Sequence, residues 1–153
     1  MNILIDTREK KPLSFNHPYI EAVRSDTLCV GDYGCEWKDR TRPNVFFERK
    51  SIGDLFNSVG GKGYPRFKRE LVRAKDNGLI LILIIEEPLS KVLLGYKHST
   101  IKGITMVTKL FTLMVRYGLQ VVFMRNREEV AEFITQYFLA LGRERLTKDQ
   151  NHT

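Results

Sequence analysis

The first apolar positions of the chain, Ile3-Leu4-Ile5, form a short run that ends at Asp6 and predict a buried first strand. Residues 7–18 carry two prolines and several charges, and predict a loop. A second strand is expected over residues 28–37, a charged connection with Pro43 over 38–44, and a third strand over 45–50. Ser51 followed by Asp54 has the form of a capping box and starts a short helix, which the glycines at 60, 61 and 63 break. Pro65 and Gly78 then bound a second helix over about residues 65–76. Seven consecutive aliphatic residues, 79–85, lie between Gly78 and Pro88 and predict a strand buried on both faces, as in a sheet with helices on either side.

The last third reads as helical with one more strand. Ile104, Val107, Phe111 and Met114 recur at helical spacing, and Met106, Leu110 and Leu113 widen the stripe. Gly118 ends that helix, residues 119–124 predict a strand, and Asn126 with Glu129 caps a final helix whose apolar positions include Val130, Ile134, Tyr137, Phe138 and Leu141. Residues after Arg145 are polar, so the expectation is one domain over 1–145 and a frayed polar tail over 146–153. The order of elements is α/β, a mixed sheet flanked by helices.

Composition narrows the function classes. The 153 residues suit one domain with a core of its own. The formal charge of +7, from 25 basic and 18 acidic side chains, suggests a polyanionic partner such as nucleic acid. Cys29 and Cys35 show neither a disulfide framework nor zinc-ligand spacing, and read as packed thiols of an intracellular protein. The start lacks the basic and long apolar regions of a signal peptide, and the longest apolar run is too short to span a bilayer, so no membrane partner is expected. The expected location is the cytoplasm of a prokaryotic or virus-infected cell, or a eukaryotic nucleus.

Candidate chemistry lies in the hairpin. Glu48 and Lys50 are two residues apart in a strand and share a face. If Trp37 lies opposite Val45, Asp32 faces Lys50 and Gly34 faces Glu48, so both acids and the lysine meet on one side, with room left by the glycine. A one-residue slip would put Asp32 on the other face. Two carboxylates suit Mg²⁺, which favours oxygen ligands and keeps several waters, and a nearby ammonium suits charge developing on a phosphate. A Glu-x-Lys strand with a Gly-Asp turn is also ordinary surface chemistry.

Gly31-Asp32-Tyr33, then Glu48-Arg49-Lys50 and Asp54, resembles the Gly-Asp…Glu-Arg-Lys-x-x-x-Asp signature of XPF-type structure-specific endonucleases, within the wider PD-(D/E)xK superfamily. Ile5-Asp6-Thr7-Arg8-Glu9 is similar to that family's opening, and the likeness extends over roughly residues 2–140. The resemblance implies a restriction-endonuclease-like fold and a Mg²⁺- or Mn²⁺-dependent endonuclease cutting flapped, forked or branched DNA in repair or recombination. It implies metal binding by Asp32 and Glu48, catalysis by Lys50, and a place for Asp6 in or beside the site. Arg8 and Glu9 belong to the motif or form a local ion pair. Arg49 alternates away from Lys50, so a salt bridge and catalysis are both open. Asp54 reads more readily as the helix cap than as a ligand. The family's Gly-Arg pair before its next helix is replaced here by 60–66, where Arg66 stands nearest to that arginine.

Arg66, Arg69 and Arg73 form a basic stripe on the second helix, which is either a solvated face or a phosphate track; Lys62, Arg8, Lys10, Lys11, Lys38, Arg40 and Arg42 extend the candidate DNA contacts. The glycine cluster lacks the Gly-x-x-x-x-Gly-Lys-Ser/Thr pattern of an NTPase. The alternatives are a non-catalytic DNA-binding or scaffold subunit with a nuclease-like fold, and a junction-resolvase or restriction-type nuclease. The resemblance also implies a homodimer through the helical side, where the apolar stripes are either that interface or core, or a partner that targets the chain to DNA.

Overall fold

A computed structural model describes residues 1–150. Six strands form one mixed sheet in the order β2-β1-β3-β4-β5-β6. The strands are β1 (Asn2–Asp6), β2 (Ala22–Asp26), β3 (Tyr33–Glu36), β4 (Val45–Lys50), β5 (Ile80–Ile85) and β6 (Gln120–Phe123). The helices are α1 (Ile52–Ser58), α2 (Tyr64–Asp76), α3 (Leu89–Leu93), α4 (Gly103–Tyr117) and α5 (Arg127–Gln150). β1 and β3 are antiparallel, as are β3 and β4; β1–β2, β4–β5 and β5–β6 are parallel.

Period-two alternation splits the sheet into two cores. Leu81, Leu83 and Ile85 of β5 face Leu55, Phe56, Phe67, Leu71, Met106 and Leu110 of α1, α2 and α4. Ile82 and Ile84 face the other way, joining Ile3, Tyr33, Phe47, Val130, Ile134 and Phe138. Phe47 is fully buried, with edge-on contacts from Phe133, Tyr137 and Phe138 of α5. Truncating such a ring costs about 3–5 kcal/mol. This is the expected sheet buried on both faces. Among the described residues no helix is long and apolar enough to cross a membrane.

Four features differ from expectation. The strand placed over 28–37 is paired only from Tyr33, because residues 28–32 fold over the ends of β1 and β4, with Gly31 at φ 72°. β2 and α3 were not foreseen: β2 is an edge strand of mostly exposed residues without apolar alternation, and α3 is a five-residue turn of helix. α5 runs to Gln150, so the polar residues beyond Arg145 are helical rather than frayed; 151–153 lie outside the described residues.

The hairpin register is the fourth difference. Tyr33 pairs with Phe47, two residues from the expected alignment. Trp37 leaves the ladder to bond the Thr41 carbonyl, closing a turn in which Arg40 has φ 65°. An even shift preserves the faces, so Asp32 now lies level with Glu48 rather than Lys50. Gly34 lies against Phe46 and Leu28, so it does not make room beside Glu48.

Gly31 holds this corner. Its left-handed conformation disfavours side chains, and a Cβ there would meet the Phe47 carbonyl oxygen at 2.8 Å. Gly31→Ala is expected to lower stability by on the order of 1–3 kcal/mol in urea unfolding; an unchanged midpoint would contradict this account of the corner.

Candidate active site

The end of β1, the start of β3 and the end of β4 meet at one end of the sheet. The Asp6 amide donates to the Asp32 carbonyl at 2.8 Å, and the Asp32 amide to the Phe47 carbonyl at 2.7 Å. The Asp32 carboxylate accepts from the Arg49 amide at 2.8 Å. Asp32 is thereby fixed across the mouth of the β3–β4 ladder, beside Glu48.

Glu48 and Lys50 project together toward α1 and α2. The Lys50 ammonium lies 3.0 Å from Glu48 Oε1, 3.5 Å from Ser58 Oγ, and 5.2 Å from the centre of the Phe67 ring. Only 9% of its side chain is exposed. Burial, then the neighbouring Glu48 charge, push the Asp32 carboxyl up to about 7. Burial also raises Glu48, with Lys50 opposing. The expected triad is therefore assembled on one side of the sheet, at the floor of an open cleft of about 420 Å³.

Other motif residues surround this floor. Asp6 is buried, and its carboxylate accepts from the amides of Arg8 and Leu28 and from the Arg8 guanidinium. Burial works to raise its pKa, but these donors hold it below the usual value. Asp6 therefore contributes by capping the chain reversal and aiming Arg8, which lines the cleft. Arg49 is buried between Glu9 at 3.0 Å and Glu86 at 2.9 Å, and also donates to the Lys11 carbonyl. Glu9 further accepts from Tyr33 Oη. Arg49 and Glu9 thus form a clamp that locks the 7–12 loop to β4. Asp54 accepts from the Ser51 hydroxyl, and its amide donates back, which is helix capping at the cleft rim.

The basic stripe divides. Arg66 and Arg73 line the cleft, as does Lys10, whereas Arg69 faces a separate shallow groove with Lys68 and Val72. Lys62 is exposed in the glycine turn, outside the cleft lining. Lys38 and Arg42 do not extend the track: they sit at the far end of β4, paired with Glu21 and with Asp26 and Glu36. Six strand residues put that hairpin roughly 16–20 Å from Lys50. Ser58 and Glu70 were not singled out from sequence. Glu70 lies one turn beyond Arg66 on the same stripe, a spacing that could have marked it.

The donor set suits a hard divalent cation. Two adjacent half-buried carboxylates, one raised to about 7, have Lys50 as their close cation and spare oxygen lone pairs facing a water-accessible cleft. Among the described residues no group of three or more His, Cys, Asp or Glu could hold a metal. Such an ion would retain waters, as Mg²⁺ does on one or two carboxylates.

The ERCC4 domain family profile matches residues 5–137. No curated protein matches the chain. XPF from Aeropyrum pernix in complex with DNA is a solved structure 18% identical, with a TM-score of 0.64 over 88% of this chain and 62% of that one. XPF from Aeropyrum pernix alone is 16% identical, with a TM-score of 0.66 over 99% of this chain and 69% of that one. The likeness to both is one of fold, and the chain spans about two thirds of their length.

The raised carboxyl gives a pH dependence with a definite sign. Asp32 has an ordinary value of 3.8 and a folded value of about 7, so between these the folded state holds more protons than the unfolded one. Stability without added cation is expected to fall as pH rises through this window. Asp32→Asn keeps an acceptor for the Arg49 amide and removes the charge. At pH 8 in chelator it should unfold at higher urea, by on the order of 1–3 kcal/mol. Wild-type stability that rises from pH 4.5 to pH 8, or a destabilised variant at pH 8, would contradict the crowding of the two acids.

Proposed function

Because this chain belongs to the ERCC4 domain family, we propose that it is a divalent-metal-dependent endonuclease that cuts flapped, forked or otherwise branched DNA. The observation that carries the reading is the convergence of Asp32, Glu48 and Lys50 in one cleft whose walls hold Arg8, Lys10, Arg66 and Arg73. A solved XPF structure with the same fold is bound to DNA, which supports a DNA partner here.

Asp32 and Glu48 would hold Mg²⁺ or Mn²⁺, and such an ion, when bound, polarises a phosphoryl oxygen and makes a nearby water more acidic. Lys50 is already oriented by Glu48, Ser58 and Phe67, so its ammonium can donate to phosphate oxygens as negative charge grows there. Its long apolar stem is buried and its head is fixed, so little reorganisation accompanies that contact. Asp6 acts through Arg8: the side chain it aims, bonded to Asp6 and to the Leu28 carbonyl, is still 61% exposed and would meet a backbone phosphate from the cleft. Arg66 and Arg73 grip phosphates on the facing wall. Contacts of this kind position a backbone without reading bases, so selection rests on DNA shape.

A second copy of the chain is the proposed partner at the helical side. The α4 stripe splits between two roles. Met106, Val107, Leu110 and Leu113 are core, while Ile104, Phe111 and Val115 remain exposed, with Leu93 and Leu94 of the α3 turn also exposed. Leu94 and Val115 are 84% and 88% exposed, and a second copy packed along α4 would cover such side chains.

Labelled flap, fork, four-way junction and plain duplex DNA, incubated with the protein and Mg²⁺ or Mn²⁺, test the activity. The wild type is expected to cut branched DNA and to stop in chelator. Lys50→Ala should bind the same DNA and cut it on the order of 10²–10³-fold more slowly. Binding without any cutting by the wild type would favour a scaffold subunit, and unimpaired cutting by the variant would remove Lys50 from the mechanism. For the dimer, sedimentation of the wild type should give two copies, and Leu94→Lys with Val115→Lys should give one with unchanged thermal unfolding. A monomeric wild type would refute it.

A further inference from the structure

One acid on the cleft walls has neither a part in the proposed reaction nor a close structural partner. Glu70 lines the cleft from α2, between Arg66 and Arg73 on the same helical stripe. The two arginines are seven residues apart, about 10 Å along the helix axis, and Glu70 stands between them.

The other acids on the walls are spoken for. Asp6 accepts from Arg8 and Leu28, Glu9 from Arg49, Tyr33 and Lys11, and Asp54 from Ser51. Glu70 has a 3.4 Å contact with Arg66, whose own side chain is 76% exposed, while the Glu70 side chain is 30% exposed. A surface pair of that length binds its partners weakly. The charge points into the cleft: besides burial and Lys50, Glu70 is felt by Glu48, and besides Asp6 and burial, by Arg8. A carboxylate aimed at a phosphate-binding wall opposes part of the attraction that its neighbours provide.

We propose that Glu70 is a specificity-determining residue, a repulsive element set between two phosphate-gripping arginines that rejects a continuous duplex backbone and accepts one that bends away or ends beside α2. The inference rests on the reading of the cleft as a DNA site. A regular duplex carries phosphates at even spacing and cannot leave out the one that would face Glu70. A strand at a flap or fork can. Discrimination then comes from a penalty on the wrong partner as much as from contacts to the right one.

The test compares wild type, Glu70→Gln and Glu70→Lys. Binding of fluorescein-labelled plain duplex and of a flap-bearing duplex of equal length is measured by anisotropy in chelator, so that no cutting is required. Glu70→Gln keeps size and shape, and thermal unfolding checks that the variants fold. Glu70→Gln is expected to bind plain duplex about 3–10-fold tighter, with a smaller gain on the flap, and Glu70→Lys to go further in the same order. The preference for flap over duplex therefore shrinks in both variants. Equal gains on the two DNAs, no change, or weaker binding would overturn the proposal. Weaker Mn²⁺ binding by Glu70→Gln would overturn it too, by making the residue a ligand. If the wild type binds both DNAs but cuts neither with Mg²⁺ or Mn²⁺, the nuclease reading fails, while the binding comparison still decides the role of Glu70.

Discussion

Like charges inside a protein repel more strongly than in water, and burial adds a desolvation cost to each. Asp32 and Glu48 carry both burdens at the end of the β3–β4 ladder, and Lys50 offsets them only in part. Much of the surrounding structure keeps this unfavourable arrangement from relaxing. Gly31 lets the chain turn tightly against Phe47, the Arg49 amide pins one Asp32 oxygen, and the Arg49–Glu9–Glu86 clamp holds the neighbouring loop to β4. A pair of acids held together at the bottom of an open cleft would have its strain relieved by a cation, which is why the proposed metal site falls at this corner.

The walls of the cleft follow from the same frame. β4 delivers Glu48 and Lys50 to one face because strand residues alternate, and α1 and α2 pack directly over that face. Ser58 and Phe67 therefore reach the lysine head, and the Arg66–Glu70–Arg73 stripe of α2 overlooks the carboxylates. The far face of the sheet is closed by α5 on the Phe47 cluster, which fixes the height of β4 against everything above it. Core packing thus sets the position of Glu48 and Lys50, and the 28–32 segment brings Asp32 to them.

Much of this was legible in the chain. The apolar run of β5, the Ser51 cap, the glycine after α4 and the shared face of Glu48 and Lys50 are local signals, each with one physical reading. What escaped was non-local. β2 has exposed residues on both faces and pairs only with β1, so no periodicity announces it. The hairpin register depended on the Trp37–Thr41 turn, and the two-residue error moved Asp32 from Lys50 to Glu48 without changing its face. Arg69 shares a stripe with Arg66 and Arg73 in the sequence, but the cleft is narrower than the stripe and leaves it out. The roles of Asp6 and Arg49 could not be assigned before their partners were known.

The account stands on Asp32 and Glu48 forming one cation-seeking site, and Mn²⁺ titration followed by electron paramagnetic resonance reads that directly, without DNA. At pH 8 the wild type should take up about one Mn²⁺ per chain, displaced by Mg²⁺, and Asp32→Asn or Glu48→Gln should abolish the uptake. Undetectable Mn²⁺ binding by the wild type, or binding that survives both substitutions, would contradict it.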